Sequence, residues 1–238
     1  MKKFVLLMMI MVATAVVAVA ASPKRYELNV NDFNVLKVNQ GVNVDYRCNA
    51  DSAGLVVFEA DPDRTSVLMF SNDKGTLSIQ LAVEDRELKG IPRVTAYSSS
   101  LSKIENGGDS TVRVLTPVSS FKFQGKLIGN GRLSIRDVRA TEMSLTLATG
   151  NGIIVVGGTT STLKINFSGT GTIQADGLKA KQIDVRATGT GAIGCDPGET
   201  LNIFGVGSTK VYYNGSPQIK DRSVGIRAIP INQAPKEE

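Results

Sequence analysis

The stretch Gly189-Thr190-Gly191-Ala192-Ile193-Gly194 spells G-x-G-x-x-G, a spacing that lets backbone approach a pyrophosphate in dinucleotide-binding folds. That chemistry also needs a helix to begin there, so that its N-terminal amides meet the phosphates. Here Cys195-Asp196-Pro197-Gly198 follows, which is a turn sequence, and no nucleotide cofactor is expected. The next candidates are charged: Lys164, Asp184 and Arg186, with Arg136 and Asp137 earlier in the chain. Polysaccharide-cleaving sites gather carboxylates or cations on one face. Lys164 and Asp184 are spaced as cross-strand neighbours, for which an exposed ion pair is the simpler outcome. The chain has no histidine, so a Ser-His-Asp triad is excluded. Its two cysteines, Cys48 and Cys195, lie far apart in the chain, so no cluster has the spacing of zinc ligands. A disulfide between them is left open. With no tryptophan, aromatic platforms for a sugar reduce to Tyr97, Tyr212 and Tyr213. Tyr212 and Tyr213 are adjacent, so a strand would turn one inward and the other outward.

The elements that must position these residues follow from a repeat. Glycines separated by one residue recur as Gly129/Gly131, Gly150/Gly152, Gly169/Gly171, Gly189/Gly191 and Gly205/Gly207, the last step being shorter than the others. A period near 20 marks a solenoid, whose coils bury their apolar faces only against neighbouring coils. The second residue after each of the first four pairs is Leu133, Ile154, Ile173 or Ile193, and the fourth is Ile135, Val156, Ala175 or Cys195. Period-two alternation describes strands with one buried face, and the repetition of these positions stacks the strands in register. Cys195 thereby joins a core column and is not expected to be a nucleophile. Before the pairs the alternation returns in Leu163-Ile165-Phe167 and Ile183-Val185-Ala187. The repeat around Leu145 and Leu147 is one residue out of step, which predicts a bulge or tightened corner.

The glycines are therefore read as corners, where a sharp turn or a close neighbour leaves no room for a side chain. The residues between them, Asn130, Asn151, Thr170 and Thr190, should lie one above another as a polar ladder. Asn151, Thr170 and Thr190 could alternatively line a binding edge. Linkers such as Asp176–Lys181 and Asp196–Thr200 are too short for crossover helices. The expected fold is all-β: a single-stranded parallel β-helix of about 20 residues per coil, successive coils ~4.8 Å apart. Residues 22–110 are expected to be less regular β coils or a small cap, and 111–225 the regular repeats, as one domain. Residues 226–238, with two prolines and closing charges, are expected to be a loose tail.

Residues 1–21 read as a secretory leader. Lys2 and Lys3 precede an apolar run from Phe4 to about Val19, followed by small residues at Ala18, Ala20 and Ala21, with cleavage expected after Ala20 or Ala21. The run falls short of the ~20 residues of a spanning helix, so no membrane span is expected after cleavage. No cysteine follows for lipid attachment, so the protein is not expected to be a lipoprotein. Loss of Lys2 and Lys3 takes the formal net charge from +5 to +3. With charges scattered singly, nucleic acid is not an expected partner.

The leader, the stretch Phe33-Asn34-Val35-Leu36-Lys37-Val38, the serial glycine corners and the late Tyr213-Asn214-Gly215-Ser216-Pro217 resemble the putative auto-transporter adhesin, head GIN domain family, over about residues 27–220. Gly205-Val206-Gly207 departs from the series by placing an apolar residue between the glycines. The resemblance implies a right-handed parallel β-helix and a periplasmic or cell-surface setting, with no catalytic residues to carry over. The expected function is a non-enzymatic binding scaffold that presents a face to a protein or glycan. Lys164, Asp184, Arg186 and Tyr213 are the candidate face residues. A self-assembling structural module is the alternative, and a polysaccharide-acting enzyme the third reading.

Overall fold

The computed structural model describes residues 23–82 and 90–231; the expected leader at 1–21 lies outside them. In chain order the strands are β1 (Lys24–Asn29), β2 (Val35–Asn39), β3 (Val44–Cys48), β4 (Leu55–Ala60), β5 (Leu68–Asp73), β6 (Thr76–Leu81), β7 (Val94–Ser98), β8 (Lys103–Gly107) and β9 (Thr111–Val114). The longer β10 (Val118–Ile128), β11 (Arg132–Ala148), β12 (Ile153–Gly169), β13 (Thr172–Gly189) and β14 (Ala192–Gly207) follow. The chain then runs through β15 (Lys210–Tyr213), β16 (Gln218–Val224) and β17 (Arg227–Pro230). One 3-10 turn, Pro62–Val67, interrupts them. Among the described residues no helix is long and apolar enough to cross a membrane.

From β8 onward the strands stack in parallel, each pairing with the strand one coil later, which makes a β-solenoid of about six turns. The predicted columns are its core. Leu133, Ile154, Ile173 and Ile193 are fully buried, as are Ile135, Val156, Ala175 and Cys195 below them. In β13 the buried residues fall in three runs: Ile173 and Ala175, then Leu178 and Ala180, then Ile183, Val185 and Ala187. The phase of alternation switches between runs, and a register shift lies between Ala175 and Lys179. Each switch turns the strand onto another side of the coil, so a coil has three sides. The stretches expected as linkers are the middle side: Gly177–Ala180 pair with Gly157–Thr160, and Lys179 and Ala180 pair with Asp196 and Pro197.

The coil that looked out of step is in register, since Leu145 pairs with Ile165 and Leu147 with Phe167. Its extra residue sits in the corner itself, where Thr149 and Gly150 both have left-handed backbone (φ 60° and 68°). The fifth corner is also displaced. Gly207, not Gly205, pairs with Gly189, while Gly205 pairs with Ala187. The fifth corner is therefore Gly207-Ser208-Thr209, and Val206 is an outward strand residue. The last step is therefore 18 residues, from Gly189 to Gly207, and the coil is shortened on its middle side, where the register shifts between Ala175 and Lys179.

The two glycines of a pair are not equivalent, and they divide the two demands of a corner, a turn and a close neighbour, between them. Gly129 turns the chain, with φ at 97°. Gly131 does not: it is buried and lies outside the left-handed backbone region. Close approach explains it instead, because a Cβ there would stand 2.5 Å from Ser110 O and 2.9 Å from Asn106 Nδ2. Gly152 and Gly171 are likewise buried, against backbone of the preceding coil. In the fourth pair neither Gly189 nor Gly191 is left-handed, and both meet backbone of the coil before them.

The N-terminal part stacks out of chain order. Strand β2 lies between β6 and β8, and β3 between β7 and β9, all parallel. The coil of β2 and β3 thus sits inside the stack, and the later β6 and β7 form the coil beyond it. Antiparallel β5 on β6, β4 on β7 and β1 on β4 then cover that end, which removes the open edge a bare coil would present. Both readings of residues 22–110 are therefore present, as coils and as a cap.

Two ion pairs on one carboxylate hold this region. Asp45 on β3 accepts both arms of Arg113 on β9 (2.6 and 2.6 Å) and one bond from Arg93 (3.2 Å). Burial pushes the Asp45 carboxyl up, but the two guanidinium groups outweigh it and hold it below the usual carboxylate range. Its contribution is complete above the unfolded-state pKa and is lost as pH falls through the lower folded value. Asp45→Asn is expected to cost about 2 kcal/mol at neutral pH. The gap between wild-type and variant melting temperatures should narrow in acid, as circular-dichroism melts across pH will read. A constant gap would refute the ionic account.

At the other end β16 pairs with β14 and β17 with β15, each on one side only among the described residues. Strand β17 falls in the stretch expected as a loose tail, so the last coil extends through Pro230; residues 232–238 of that stretch lie outside the described ones. In this coil the inward columns change character. Below Ile203 and Gly205 stand Asp221 and Ser223, and Asp221 Oδ1 accepts the Ser223 backbone N–H at 2.9 Å and its hydroxyl at 2.5 Å.

Candidate functional site

The glycine corners carry the polar ladder along one edge of the solenoid. Asn130 N–H donates to Asp109 Oδ1 (3.2 Å), Asn151 N–H to Asn130 Oδ1 (3.0 Å), and the Thr170 hydroxyl to Gly150 O (3.2 Å). Thr190 N–H reaches Gly169 O (3.0 Å). These polar groups of Asn151 and Thr170 are turned to the neighbouring coil. Asp109 extends the ladder before the first pair, a position the glycine pattern could not flag.

A groove of about 760 Å³ lies elsewhere, on the outer surface of the third side, over the last coils. In an exposed strand pair, successive outward residues form columns along the stack. One column here is Lys164, Asp184, Asn202 and Lys220; its neighbour is Asn166, Arg186, Phe204 and Arg222. The groove therefore brings together Lys164, Asp184 and Arg186 from the sequence reading and adds Phe204, Lys220 and Arg222. Phe204 is an exposed aromatic (62%) on an outward position, and Val206 and Val224 pair beside it, also exposed. Tyr213 does not line the groove; it is half-buried in the column of Cys195. Phe204 could have been found from the alternation of Asn202-Ile203-Phe204, which turns it out of the core.

The electrostatics of the groove are lopsided. Asp184 is its one carboxylate among the lining residues. It accepts Asn202 Nδ2 at 2.6 Å and Gln182 Nε2 at 3.2 Å, and although Lys164 is its register partner, no ion pair joins them. Hydrolysis by paired carboxylates needs a second acid across the bond to be cut, and none lines this groove. Among the described residues no group of three or more metal-ligating side chains comes together.

The cysteines are separate and free. Cys195 is fully buried and its thiol donates to Tyr212 O at 3.5 Å; burial, with Asp196 and Asp176 adding to it, pushes its pKa up to about 12. Only about one thiol in 10⁴ is then ionised at pH 8. Alkylation of the native protein at that pH is expected to spare Cys195 until denaturant is added, as peptide mass mapping can show. Rapid native labelling of Cys195 would contradict its place in the core.

A capped parallel β-solenoid with a single-sided outer groove defines the class of protein. Residues 32–217 match the model of the putative auto-transporter adhesin, head GIN domain family, and the chain belongs to that family. Solved structures share the fold. A putative adhesin from Bacteroides fragilis superposes with a TM-score of 0.78 at 17% identity, covering 89% of this chain and 98% of that one. A putative adhesin from Parabacteroides distasonis gives 0.72 at 18% identity, over 88% and 97%. A putative lipid binding protein from the same species gives 0.70 at 17% identity, over 89% and 97%. No curated protein matches the chain significantly.

Proposed function

We propose that the protein is an exported, non-enzymatic adhesin of the bacterial cell envelope, periplasmic or on the cell surface. In this reading it uses the outer face of its third side to bind a protein or glycan. The groove over Lys164–Arg222 is the observation that carries the proposal, together with membership of an adhesin family. The solenoid supplies a rigid surface, so little ordering cost falls on binding. The secretory pattern at residues 1–21 supplies the export. A reading as a structural module that grows end to end is less favoured, because a further coil would bury the Asp221 carboxylate.

Two measurements test the proposal. Cell fractionation with intact-mass determination should place the protein in the envelope, beginning at residue 21 or 22. A glycan array and cross-linking to envelope proteins should return at least one ligand. A cytoplasmic protein with its leader intact, or one that retains nothing in both screens, would refute it.

A further inference from the structure

We infer that the groove takes an acidic polysaccharide, a chain bearing recurrent carboxylates and lying along the solenoid axis; this deepens the binding reading above and rests on it. The first observation is a contrast along one face. Over the earlier coils the outward cations of the third side stand beside carboxylates: Lys126 and Lys103 share Glu105 at 3.3 and 3.5 Å, and Lys122 is the register partner of Glu142. Over the later coils Lys164, Arg186, Lys220 and Arg222 line one groove, and none forms an ion pair among the described residues. The carboxylate nearest them, Asp184, is engaged by two amides instead. Four cations against the single carboxylate of Asp184 leave the groove's lining with a formal charge of +3, held on a rigid sheet, a field that a polyanion would fill.

The second observation is how the cations recur. They sit on three of four neighbouring strands, β12, β13 and β16, with β14 between the last two, so the positive charge is spread over roughly 14 Å at the ~4.8 Å spacing of neighbouring strands. An extended ligand running across the strands meets a cation on β12, on β13 and twice on β16. Arginine's planar fork matches a carboxylate with two parallel bonds.

The third observation is Phe204, set between Arg186 and Arg222 in its column. An exposed ring offers an apolar platform for the flat face of a pyranose. Asn166, Asn202 and Asp184 around it supply donors and acceptors for sugar hydroxyls. Anionic lipid headgroups would also suit the cations, but a membrane surface presses on protruding groups. Here the charges line a recess that already holds hydroxyl-binding amides.

The test is titration of the purified protein with polygalacturonate, with dextran as the neutral comparison and mixed phosphatidylglycerol–phosphatidylcholine vesicles as the lipid one. Polygalacturonate is expected to bind and dextran not to. Affinity should fall as salt rises, because counterions are released from the polyanion. The double variant Arg186→Gln, Arg222→Gln should bind at least about tenfold more weakly, since it loses two charge-assisted forks, at an unchanged melting temperature. Phe204→Ala should weaken binding severalfold and leave the salt slope intact. Equal binding of polygalacturonate by the double variant, equal binding of dextran, or binding of vesicles in place of polygalacturonate would each overturn the inference. If wild type does not bind polygalacturonate but retains another array glycan or an envelope protein, the inference falls and the adhesin reading stands. If wild type retains none of these, both fall.

Discussion

Gly171→Ala is expected to destabilise the protein by about 3–5 kcal/mol, among the largest effects of any single methyl group. The reason is position rather than backbone angle. A Cβ at residue 171 would stand 2.1 Å from Gly152 O and 2.9 Å from Gly152 N. Both are backbone atoms of the coil above, so the collision cannot be relieved by turning a side chain. It can be relieved only by parting two coils that are hydrogen-bonded through Thr172 N–H and Gly152 O at 2.9 Å. For a chain of this size the melting temperature should fall by about 6–20 °C. Gly177→Ala is the matched control, because its Cβ would lie 3.4 Å from the nearest atom, Val156 O, an ordinary contact. That substitution should shift stability by less than about 1 kcal/mol. Equal melting of the two variants would show that the corner is not closed by coil-to-coil contact.

Phe167→Ala should cost a comparable amount, about 3–5 kcal/mol, through the cavity it leaves. Phe167 belongs to an inward column that runs Leu127, Leu147, Phe167, Ala187, Gly205, and its side chain is 2% exposed. The residues beyond it are small, and the ring fills the space they leave; its Cζ lies 2.3 Å from where a Cβ on Gly191 would stand. Alanine at 167 would leave three small residues in succession, with no neighbour able to fill the void. Urea unfolding monitored by circular dichroism measures the difference. Phe204→Ala provides the contrast, since the exposed ring should change stability by less than about 0.5 kcal/mol. A loss under about 1 kcal/mol for Phe167→Ala would mean that the end of the column is not close-packed.

The regular coils were legible because stacking turns one local pattern into many. Once Ile154, Ile173 and Ile193 alternate in the same phase, their register follows, and with it the burial of Cys195. The corners were harder to read. Gly205-Val206-Gly207 imitates a glycine pair, although only Gly207 occupies a corner position, and Thr209 stands where the other corners have their second glycine. Spacing alone cannot separate a glycine that turns the chain, such as Gly129, from one that leaves room for a neighbour, such as Gly131. The middle side was hidden in Asp176–Lys181, whose lysines and glycine resemble a linker although Leu178 and Ala180 point into the core. The order of the first coils left no local trace. The pairing of β2 with β8, and the bond from Arg113 to Asp45, join residues 68 positions apart, and β2 meets β6 across 41. The groove was half visible. Lys164, Asp184 and Arg186 stood out as outward charges in clean repeats. Phe204, Lys220 and Arg222 lie where the repeat shortens and its glycines fall out of phase.

The carboxyl group of Asp221 bears on whether a further coil can stack on the described ones. A parallel coil is a template: its free edge offers hydrogen bonds, and its apolar columns reward whatever is laid upon them. Each added turn would make the same offer to the next, as in a growing fibril. Asp221 and Ser223 work against that recursion in the columns below Ile203 and Gly205, because a further turn would have to strip water from polar side chains and set them against hydrocarbon. Asp221 is thus expected to work against end-to-end polymerisation, from the core side of the last coil among the described residues.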